Sequence, residues 1–108
     1  MNVLLTGATG FLGSRLASVL VSKPDINLTV AVRRLNKVPA SRIVEVSDHD
    51  NDTNWSAALR NQNVVIHTAA RAHLMRDEVF DSMAEYRRVN VDGTFNLARQ
   101  ASSAGVER

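Results

Sequence analysis

Three glycines near the start of the chain, Gly7, Gly10 and Gly13, constrain its fold more than any other feature. They follow the apolar run 3–5, so a G-x-x-G-x-x-G loop leaves a predicted strand and opens a predicted helix. Gly7 can make the tight turn, Gly10 lets backbone approach phosphate oxygens, and Gly13 lets the helix pack closely on the sheet. The N–H groups of the first helical turn then face the anion. The loop therefore predicts a site for the diphosphate of a dinucleotide, the alternative being an ordinary glycine-rich turn.

The spacing of apolar residues and helix breakers predicts an α/β fold. Apolar, β-branched runs predict strands at residues 2–6, 27–32, 42–46 and 63–67. Helical periodicity predicts helices at residues 11–23, 55–60 and about 78–104. Strands that alternate with helices in this way indicate a parallel sheet covered by helices on both faces. At 108 residues, the chain accounts for at most one small domain.

The predicted helices carry faces that are expected to lie on the sheet. In the first helix this face consists of Leu12, Leu16, Val19 and Leu20. Trp55 is expected to anchor the short second helix. In the long last helix, one stripe contains Val79, Met83, Tyr86, Asn90, Gly93, Leu97 and Ala101. Gly93 costs a helix about 1 kcal/mol relative to alanine, which indicates close packing at that position.

The end of the chain indicates how the sheet continues. Gly105 is expected to cap the long helix, and a fifth strand is expected just beyond it. The chain then corresponds to the first four strands of a larger doubly wound sheet. The alternative is a complete four-stranded domain, but nothing would cover the outer edge of its fourth strand. In the truncated chain that edge is expected to be open, which would allow self-association through it.

Arg33 and Arg34 end the second predicted strand. In dinucleotide-binding folds, an acidic residue about 20 positions after the glycines binds the ribose 2′-hydroxyl. Arg33 stands at that distance, and its forked, permanently charged guanidinium suits a 2′-phosphate. The expected cofactor is therefore NADP in preference to NAD. The alternative is that one or both arginines are solvated surface charges.

Asp48 follows the third predicted strand, where a carboxylate can accept a hydrogen bond from an adenine amino group. An ordinary loop aspartate is the alternative. The spacing of Asp48, Asp50 and Asp52 also resembles the start of a calcium loop. However, Thr53 stands where that loop requires glycine, and no glutamate closes it. No metal site is therefore predicted.

Composition excludes several classes of partner. The net charge is only +2, the two signs are interleaved, and the chain has few aromatic residues, so no nucleic-acid partner is expected. The absence of cysteine excludes disulfides and thiolate metal sites, and it suits a cytoplasmic protein. No apolar run is long enough to span a bilayer, so no membrane partner is expected either.

The fourth predicted strand closes with His67, Thr68, Ala69 and Ala70. The two alanines let the backbone lie close to the ribose and diphosphate of a cofactor. His67 is expected to be a half-buried histidine at the strand end and not a catalytic base, and His49 and His73 are expected to be loop residues. In the last helix, Asn90 and Thr94 lie one turn apart on the same side, where buried polar groups need partners.

These segments together resemble the extended short-chain dehydrogenase/reductase family, in particular its nucleotide-sugar epimerases, dehydratases and reductases. The matching motifs are residues 6–13 (TGATGFLG), Asp48, residues 67–70 (HTAA) and residues 90–97 (NVDGTFNL). They span nearly the whole chain in the order and spacing of the family. Residues 52–59 and 69–77 look most like bacterial UDP-sugar 4-epimerases and 4-ketoreductases of polysaccharide synthesis.

The resemblance implies a three-layer Rossmann fold, truncated to the first four strands in the order 3-2-1-4. It implies an enzyme that oxidises or reduces a carbon of a nucleotide sugar, commonly C4, with NAD(P) as cofactor. The residues it assigns to the cofactor are Gly7, Gly10, Phe11, Leu12 and Gly13 at the diphosphate, Asp48 at adenine, Ala69 and Ala70 along the cofactor, and Asn90 in support from the helix. Arg33 departs from the acidic residue of NAD-dependent epimerases. The family commonly dimerises through the long helix, so the parent protein is expected to be a homodimer.

Catalytic residues are the main departure from the family pattern. The family uses a Tyr-x-x-x-Lys pair, whose lysine lowers the tyrosine pKa for proton transfer. Here the one tyrosine, Tyr86, is followed four positions later by Asn90, and the two lysines are Lys23 and Lys37. The resemblance places the catalytic residues beyond Arg108, so the chain alone is expected to be inactive. A non-catalytic module that senses NADP, as in atypical members of the family, is the alternative.

Overall fold

Four parallel strands form one sheet in the structure, a computed structural model that describes residues 1–34, 38–47, 52–69 and 82–108. The strands are β1 (Asn2–Thr6), β2 (Asn27–Val32), β3 (Arg42–Glu45) and β4 (Val64–His67). The helices are α1 (Phe11–Val21), α2 (Ser56–Leu59), α3 (Ser82–Arg87) and α4 (Gly93–Ser103), and a π-helical turn, Arg88–Asp92, joins α3 to α4. These elements lie within one or two residues of the predicted bounds, except that the predicted start of the last helix falls outside the described residues.

The sheet has the strand order β3-β2-β1-β4, which confirms the order implied by the family resemblance. β1 lies in the middle and pairs in parallel with β2 and β4. Its residues Val3, Leu4, Leu5 and Thr6 are all buried, as expected for a strand covered on both faces. The fold is a Rossmann-like α/β arrangement.

Side chains that alternate along the strands divide the core into two layers. Val3 and Leu5 of β1 pack on one face with Leu28, Val30 and Ala17. The other face carries Leu4, Ala31, Val46, Trp55, Ala58, Leu59, Leu97 and Ala101. Because α1 contributes to the first layer and α2 and α4 to the second, helices cover both faces of the sheet. Trp55 is fully buried, as predicted.

The face that α1 turns toward the core differs from the predicted one. Leu12 and Val19 are more than half exposed, while the buried residues are Gly13 and Ala17. Leu16 is only partly buried at the edge of the core. The reason is close approach: the helix rests on its smallest residues, so the predicted face of three leucines and one valine is rotated partly into solvent.

The predicted stripe of the long helix is correct in its second half. Gly93, Leu97 and Ala101 are buried in α4, together with Asn96. Met83 of α3, however, is about half exposed, so its predicted place in the buried stripe was wrong. The π-helical turn between α3 and α4 explains the difference, because its wider winding changes the direction in which preceding residues point. Val79 lies outside the described residues.

Gly105 ends α4 as predicted. Its φ of 84° is left-handed, the N–H of Val106 donates to the Ala101 carbonyl at 3.0 Å, and the N–H of Gly105 donates to the Ser102 carbonyl at 3.1 Å. This pair of bonds is a Schellman motif, and Val106 packs on the core beside Ala101.

The segment after Gly105 runs alongside β4. The N–H of Glu107 donates to the Asn63 carbonyl at 3.0 Å, and the N–H of Val65 donates to the Arg108 carbonyl at 2.7 Å. The expectation that the outer edge of the fourth strand is open was therefore wrong for its first residues, because backbone of the same chain occupies them. The fifth strand expected beyond Gly105 stays a prediction, since no strand is formed at residues 106–108. No helix within the described ranges has the length and apolarity that a membrane crossing requires.

Candidate functional site

The carboxyl ends of the strands place the candidate residues at one edge of the sheet. Thr6, the last residue of β1, lies opposite Ala31 of β2 and His67 of β4. The glycine loop after Thr6, Arg33 after β2 and Thr68 after β4 therefore leave the sheet on the same side. Ligands of doubly wound sheets bind at this edge.

Gly7 makes the turn out of β1 with a left-handed φ of 74°. A side chain here would also collide with the end of β4: a Cβ atom would overlap Thr68 Oγ1 and lie 2.7 Å from the backbone nitrogen of Ala69. Both the turn and the approach of a neighbouring strand thus require glycine. This confirms the role that the sequence predicts for Gly7 and adds the contact with Thr68.

Gly13 is required by the loop itself. A Cβ atom on Gly13 would overlap the carbonyl oxygen of Gly7 and lie 3.0 Å from Thr68 Oγ1. The sequence correctly predicts close packing at Gly13, but the nearest atoms belong to the preceding turn. Gly10 is looser, since its Cβ would lie 3.4 Å from the same carbonyl, which also accepts a 3.0 Å hydrogen bond from the Gly10 N–H.

The first turn of α1 presents backbone N–H groups at this edge. The first helical bond runs from the N–H of Ser14 to the Gly10 carbonyl at 2.9 Å, and no side chain caps the helix. Within the described residues, no hydrogen bond engages the N–H groups of Phe11, Leu12 or Gly13. Such a turn fits an anion, because its donors and the positive end of the helix dipole face outward. The Phe11 ring is 85% exposed, with the Arg15 guanidinium 5.7 Å from its centre.

Thr6 joins the ends of β1 and β4. Its hydroxyl oxygen accepts hydrogen bonds from the backbone N–H groups of Thr68 at 3.1 Å and Ala69 at 3.2 Å. In return, the Thr68 hydroxyl donates to the Thr6 carbonyl at 2.6 Å. Ala69 is half-buried beside the glycine loop, where its backbone can line a cofactor. This role of Thr6 could not be predicted from the sequence, because a threonine at a strand end does not indicate which residues it will bond.

His67 connects this junction to the last helix. Its Nδ1 lies 2.6 Å from the Thr6 hydroxyl, and its Nε2 lies 3.2 Å from the Thr94 hydroxyl. It is half-buried, as predicted, and loss of solvent on burial lowers its pKa below the usual 6.5. Contacts with two hydroxyls suit a residue that fixes structure, and the prediction that His67 is not a catalytic base stays a prediction.

Asn90 lies in the π-helical turn and is half-buried. The wide winding is closed by a bond from the N–H of Gly93 to the Arg88 carbonyl, five residues earlier. Single π-helical turns inside α-helices are frequent at functional sites. The sequence motif located Asn90 on the correct helix, but its spacing did not reveal the π-helical turn.

The remaining predicted residues are placed as follows. Arg33 is exposed directly after β2. Asp48 and Ala70 lie outside the described residues, as do His49 and His73, and so does most of the aspartate cluster, of which Asp52 alone is described. In the described ranges, no group of three or more histidine, cysteine, aspartate or glutamate residues is arranged to hold a metal ion.

A buried polar network that the sequence did not predict holds the segment before α2. Asn96, only 2% exposed, donates to the Thr53 carbonyl at 2.9 Å, and Gln100 donates to the same carbonyl at 2.8 Å. Gln100 also accepts a bond from the Trp55 N–H at 2.9 Å. These bonds fix residues 53–55, directly before α2. In the sequence, this network is indicated only by the position of a polar residue, Asn96, beside the predicted apolar stripe.

The sheet order and the glycine loop define a Rossmann-type α/β fold. The model of the NAD dependent epimerase/dehydratase family matches residues 3–108, and the chain belongs to that family. This confirms the resemblance seen in the sequence.

Comparisons with individual proteins agree with the family. The chain is 42% identical over 107 residues to a UDP-glucose 4-epimerase of Vibrio cholerae, covering 99% of this chain and 33% of the relative. It is 32% identical over 110 residues to a 3-diazoavenalumate denitrifying reductase of a Streptomyces species, covering 36% of that protein. The chain thus spans about a third of the length of these relatives.

Among solved structures, the chain superposes on MoeE5 in complex with UDP-glucose and NAD with a TM-score of 0.78 and 35% identity. The match covers all of this chain and 34% of MoeE5. MoeE5 in complex with UDP-glucuronic acid and NAD gives a TM-score of 0.76 and 33% identity, covering 98% of this chain and 34% of that one.

Proposed function

We propose that this chain is the cofactor-binding part of an enzyme that acts on a UDP-sugar or a similar nucleotide sugar by hydride transfer at a sugar carbon, commonly C4. The observation that carries the proposal is the glycine loop, in which Gly7 and Gly13 exclude any side chain and leave the N–H groups of the first α1 turn facing outward. The 42% identity to a UDP-glucose 4-epimerase supports the choice of substrate class.

The residues at the sheet edge fit a dinucleotide. The N–H groups of Phe11, Leu12 and Gly13 would bind the diphosphate, with Gly7 and Gly10 leaving room for it. Ala69 and Ala70 would line the cofactor, and Asp48 would accept a hydrogen bond from the adenine. Asn90 would support the site from the π-helical turn. When bound, the nicotinamide supplies the acceptor and donor of hydride, while these residues bind and orient it.

The acid/base pair of the family pattern is absent from this sequence. The family pattern pairs tyrosine with a lysine four positions later, but Asn90 occupies that place after Tyr86. We therefore propose that residues 1–108 are the N-terminal part of the Rossmann domain, that the acid/base pair lies elsewhere in the parent protein, and that this chain alone is inactive.

The preference for NADP is a separate proposal that rests on Arg33. This exposed residue leaves β2 at the same edge as the glycine loop, where the ribose 2′ position is bound in dinucleotide folds. Arginine favours a phosphate there and an acidic residue favours a hydroxyl. The two MoeE5 complexes contain NAD, so the preference distinguishes this chain from them.

We also propose that the parent protein is a homodimer through the long helix. Met83, Val91 and Phe95 expose 54%, 46% and 74% of their surface along α3, the π-helical turn and α4. A second copy of the same helix would cover these apolar side chains, as expected for a two-fold interface.

The experiment that tests the function uses the full-length protein that carries this chain. Purified protein is incubated with UDP-glucose and either dinucleotide, and the sugar products are identified by NMR. Interconversion of the C4 epimers, or a change in dinucleotide absorbance with a new sugar product, supports the proposal. Binding of NADP with no turnover of any nucleotide sugar would instead favour the non-catalytic sensor, and binding of neither dinucleotide would contradict both.

A further inference from the structure

We propose that His67 is a positioning residue. Thr6 holds it as the neutral Nε2–H tautomer, and the Nε2–H group of His67 donates to Thr94. This bond fixes the helix that carries Asn90 against the glycine loop. The inference rests on the proposed dinucleotide-binding function, which it deepens by naming what aligns the two sides of the site. No catalytic step is assigned to the histidine.

The tautomer follows from the hydrogen bonds of Thr6. A threonine hydroxyl has one proton to donate and two lone pairs that accept. The N–H groups of Thr68 and Ala69 occupy both lone pairs. The Thr6 proton must then go to Nδ1 of His67, only 2.6 Å away, so Nδ1 is the unprotonated nitrogen.

The second nitrogen of His67 therefore carries the ring proton. Nε2 donates it to the Thr94 hydroxyl at 3.2 Å. A charged imidazolium would need a second acceptor at Nδ1, and the Thr6 oxygen has no lone pair left for it. Burial of the ring also disfavours the charged form, in agreement with the direction of the His67 pKa.

The position of Thr94 explains why this bond matters for the site. Thr94 is the second residue of α4, directly after the π-helical turn that contains Asn90. The π-helical turn is wound more widely than the α-helices on either side, and single turns of this kind are frequent at functional sites, so a bond that holds the start of α4 bears on the position of Asn90. The His67–Thr94 bond ties the start of α4 to the end of β4, which itself lies against Gly7.

The chain of hydrogen bonds Thr6–His67–Thr94, here called the relay, connects three parts of the sheet edge one after another. The glycine turn is joined through Thr6 to the end of β4, and His67 extends that connection to α4. If the last bond is removed, we expect Asn90 to shift relative to the glycine loop while both strands stay in place. Dinucleotide binding should weaken about two- to tenfold, the range expected for one neutral hydrogen bond.

The test compares Thr94→Val with Thr94→Ser in the full-length protein. Valine keeps the branched shape and removes the hydroxyl, whereas serine keeps the hydroxyl that accepts from His67. Thr29→Val is the control, because it makes the same exchange of a hydroxyl for a methyl group on β2, where the hydroxyl accepts a bond from Gln62 and takes no part in the His67–Thr94 contact. NADP and NAD affinities are measured by titration, and the ring nitrogens of His67 are observed by ¹⁵N NMR.

The proposal predicts an Nε2–H tautomer of His67 in the wild type, and faster solvent exchange of that proton in Thr94→Val. It also predicts that Thr94→Val weakens binding, that Thr94→Ser restores it, and that Thr29→Val leaves it unchanged. An Nδ1–H tautomer, or equal affinities in Thr94→Val and the wild type, would overturn it. If the wild type binds neither dinucleotide, the proposed function fails. The tautomer of His67 and the exchange rate of its Nε2 proton then still show whether the Thr6–His67–Thr94 hydrogen bonds exist as proposed.

Discussion

The Cα of Gly13 lies so close to the carbonyl oxygen of Gly7 that even a methyl group on Gly13 would overlap that oxygen. Gly10, between them, has room for a Cβ at 3.4 Å from the same atom and an ordinary φ of −80°. Glycines at equal spacing in the sequence therefore meet different demands: Gly13 is required for the loop to fold, and Gly10 leaves space in front of it.

Substitution of these two glycines should separate folding from binding. Gly13→Ala should lower the free energy of unfolding by about 1–3 kcal/mol, the usual cost of an added methyl group in a tightly packed site. Gly10→Ala should leave stability nearly unchanged but weaken dinucleotide binding, because the proposed site needs the backbone at Gly10 to approach the diphosphate closely. Chemical denaturation and dinucleotide titration measure the two effects. Equal loss of stability in both variants would contradict this assignment.

Gly7 and Gly105 provide a second matched pair, since both have left-handed φ values, 74° and 84°. A Cβ on Gly105 would meet nothing within 4 Å, whereas one on Gly7 would press on backbone atoms of Thr68 and Ala69. Gly105→Ala should therefore cost only the backbone strain, about 1–2 kcal/mol. Gly7→Ala should cost more and should also abolish cofactor binding. Thermal unfolding of the two variants measures the difference, and similar melting temperatures would show that the Thr68 contact is not restrictive.

Protonation of His67 should destabilise the fold at mildly acidic pH. Because burial lowers the folded-state pKa below 6.5, the unfolded chain takes up the proton first as the pH falls. The free energy of unfolding should therefore decrease from about pH 6.5 downward, until the folded-state pKa is reached. His67→Asn lacks this titration, and His49 and His73 are present in both proteins. The free energy of unfolding of the wild type and of His67→Asn is measured by urea denaturation between pH 7.5 and 5.5. Plotted against pH, the two curves should converge at low pH, and parallel curves would refute the prediction.

The backbone-level features were largely predictable from the sequence, and the side-chain contacts were not. Strand and helix positions follow from local patterns, so β1 and β2 were predicted with their observed bounds. The Thr6–His67–Thr94 connection joins residues 61 and 27 positions apart, and no local pattern encodes it. The face of α1 was misjudged because periodicity favours large apolar residues, whereas close helix packing selected Gly13 and Ala17.

The candidate site divides in the same way. The glycine spacing located the loop, because its function depends on backbone conformation that glycine alone allows. The buried role of Asn96 was missed, since its partner, the Thr53 carbonyl, is a backbone atom that sequence does not mark. Asp48 and Ala70 remain predictions, because they lie outside the described residues.

Arg33 should determine the choice between the two dinucleotides. The wild-type protein should bind NADP more tightly than NAD, and Arg33→Asp should weaken NADP binding by about ten- to hundredfold, as expected for loss of a charged hydrogen bond. Arg34→Asp makes the same change of charge at the next, also exposed, residue and should have a much smaller effect. Fluorescence titration with both cofactors tests this. A wild type that prefers NAD, or equal effects of the two substitutions, would exclude the proposed role.

Phe95 should be central to the proposed dimer interface. It is 74% exposed on α4, and the few residues that dominate an interface each contribute about 2 kcal/mol or more to binding. Phe95→Glu in the full-length protein should therefore raise the dimer dissociation constant by more than about tenfold. Val19→Glu is the control, because Val19 is also exposed but lies on α1, which covers the opposite face of the sheet. Sedimentation at several concentrations would contradict the proposal if both variants stay dimeric or if the wild type is a monomer.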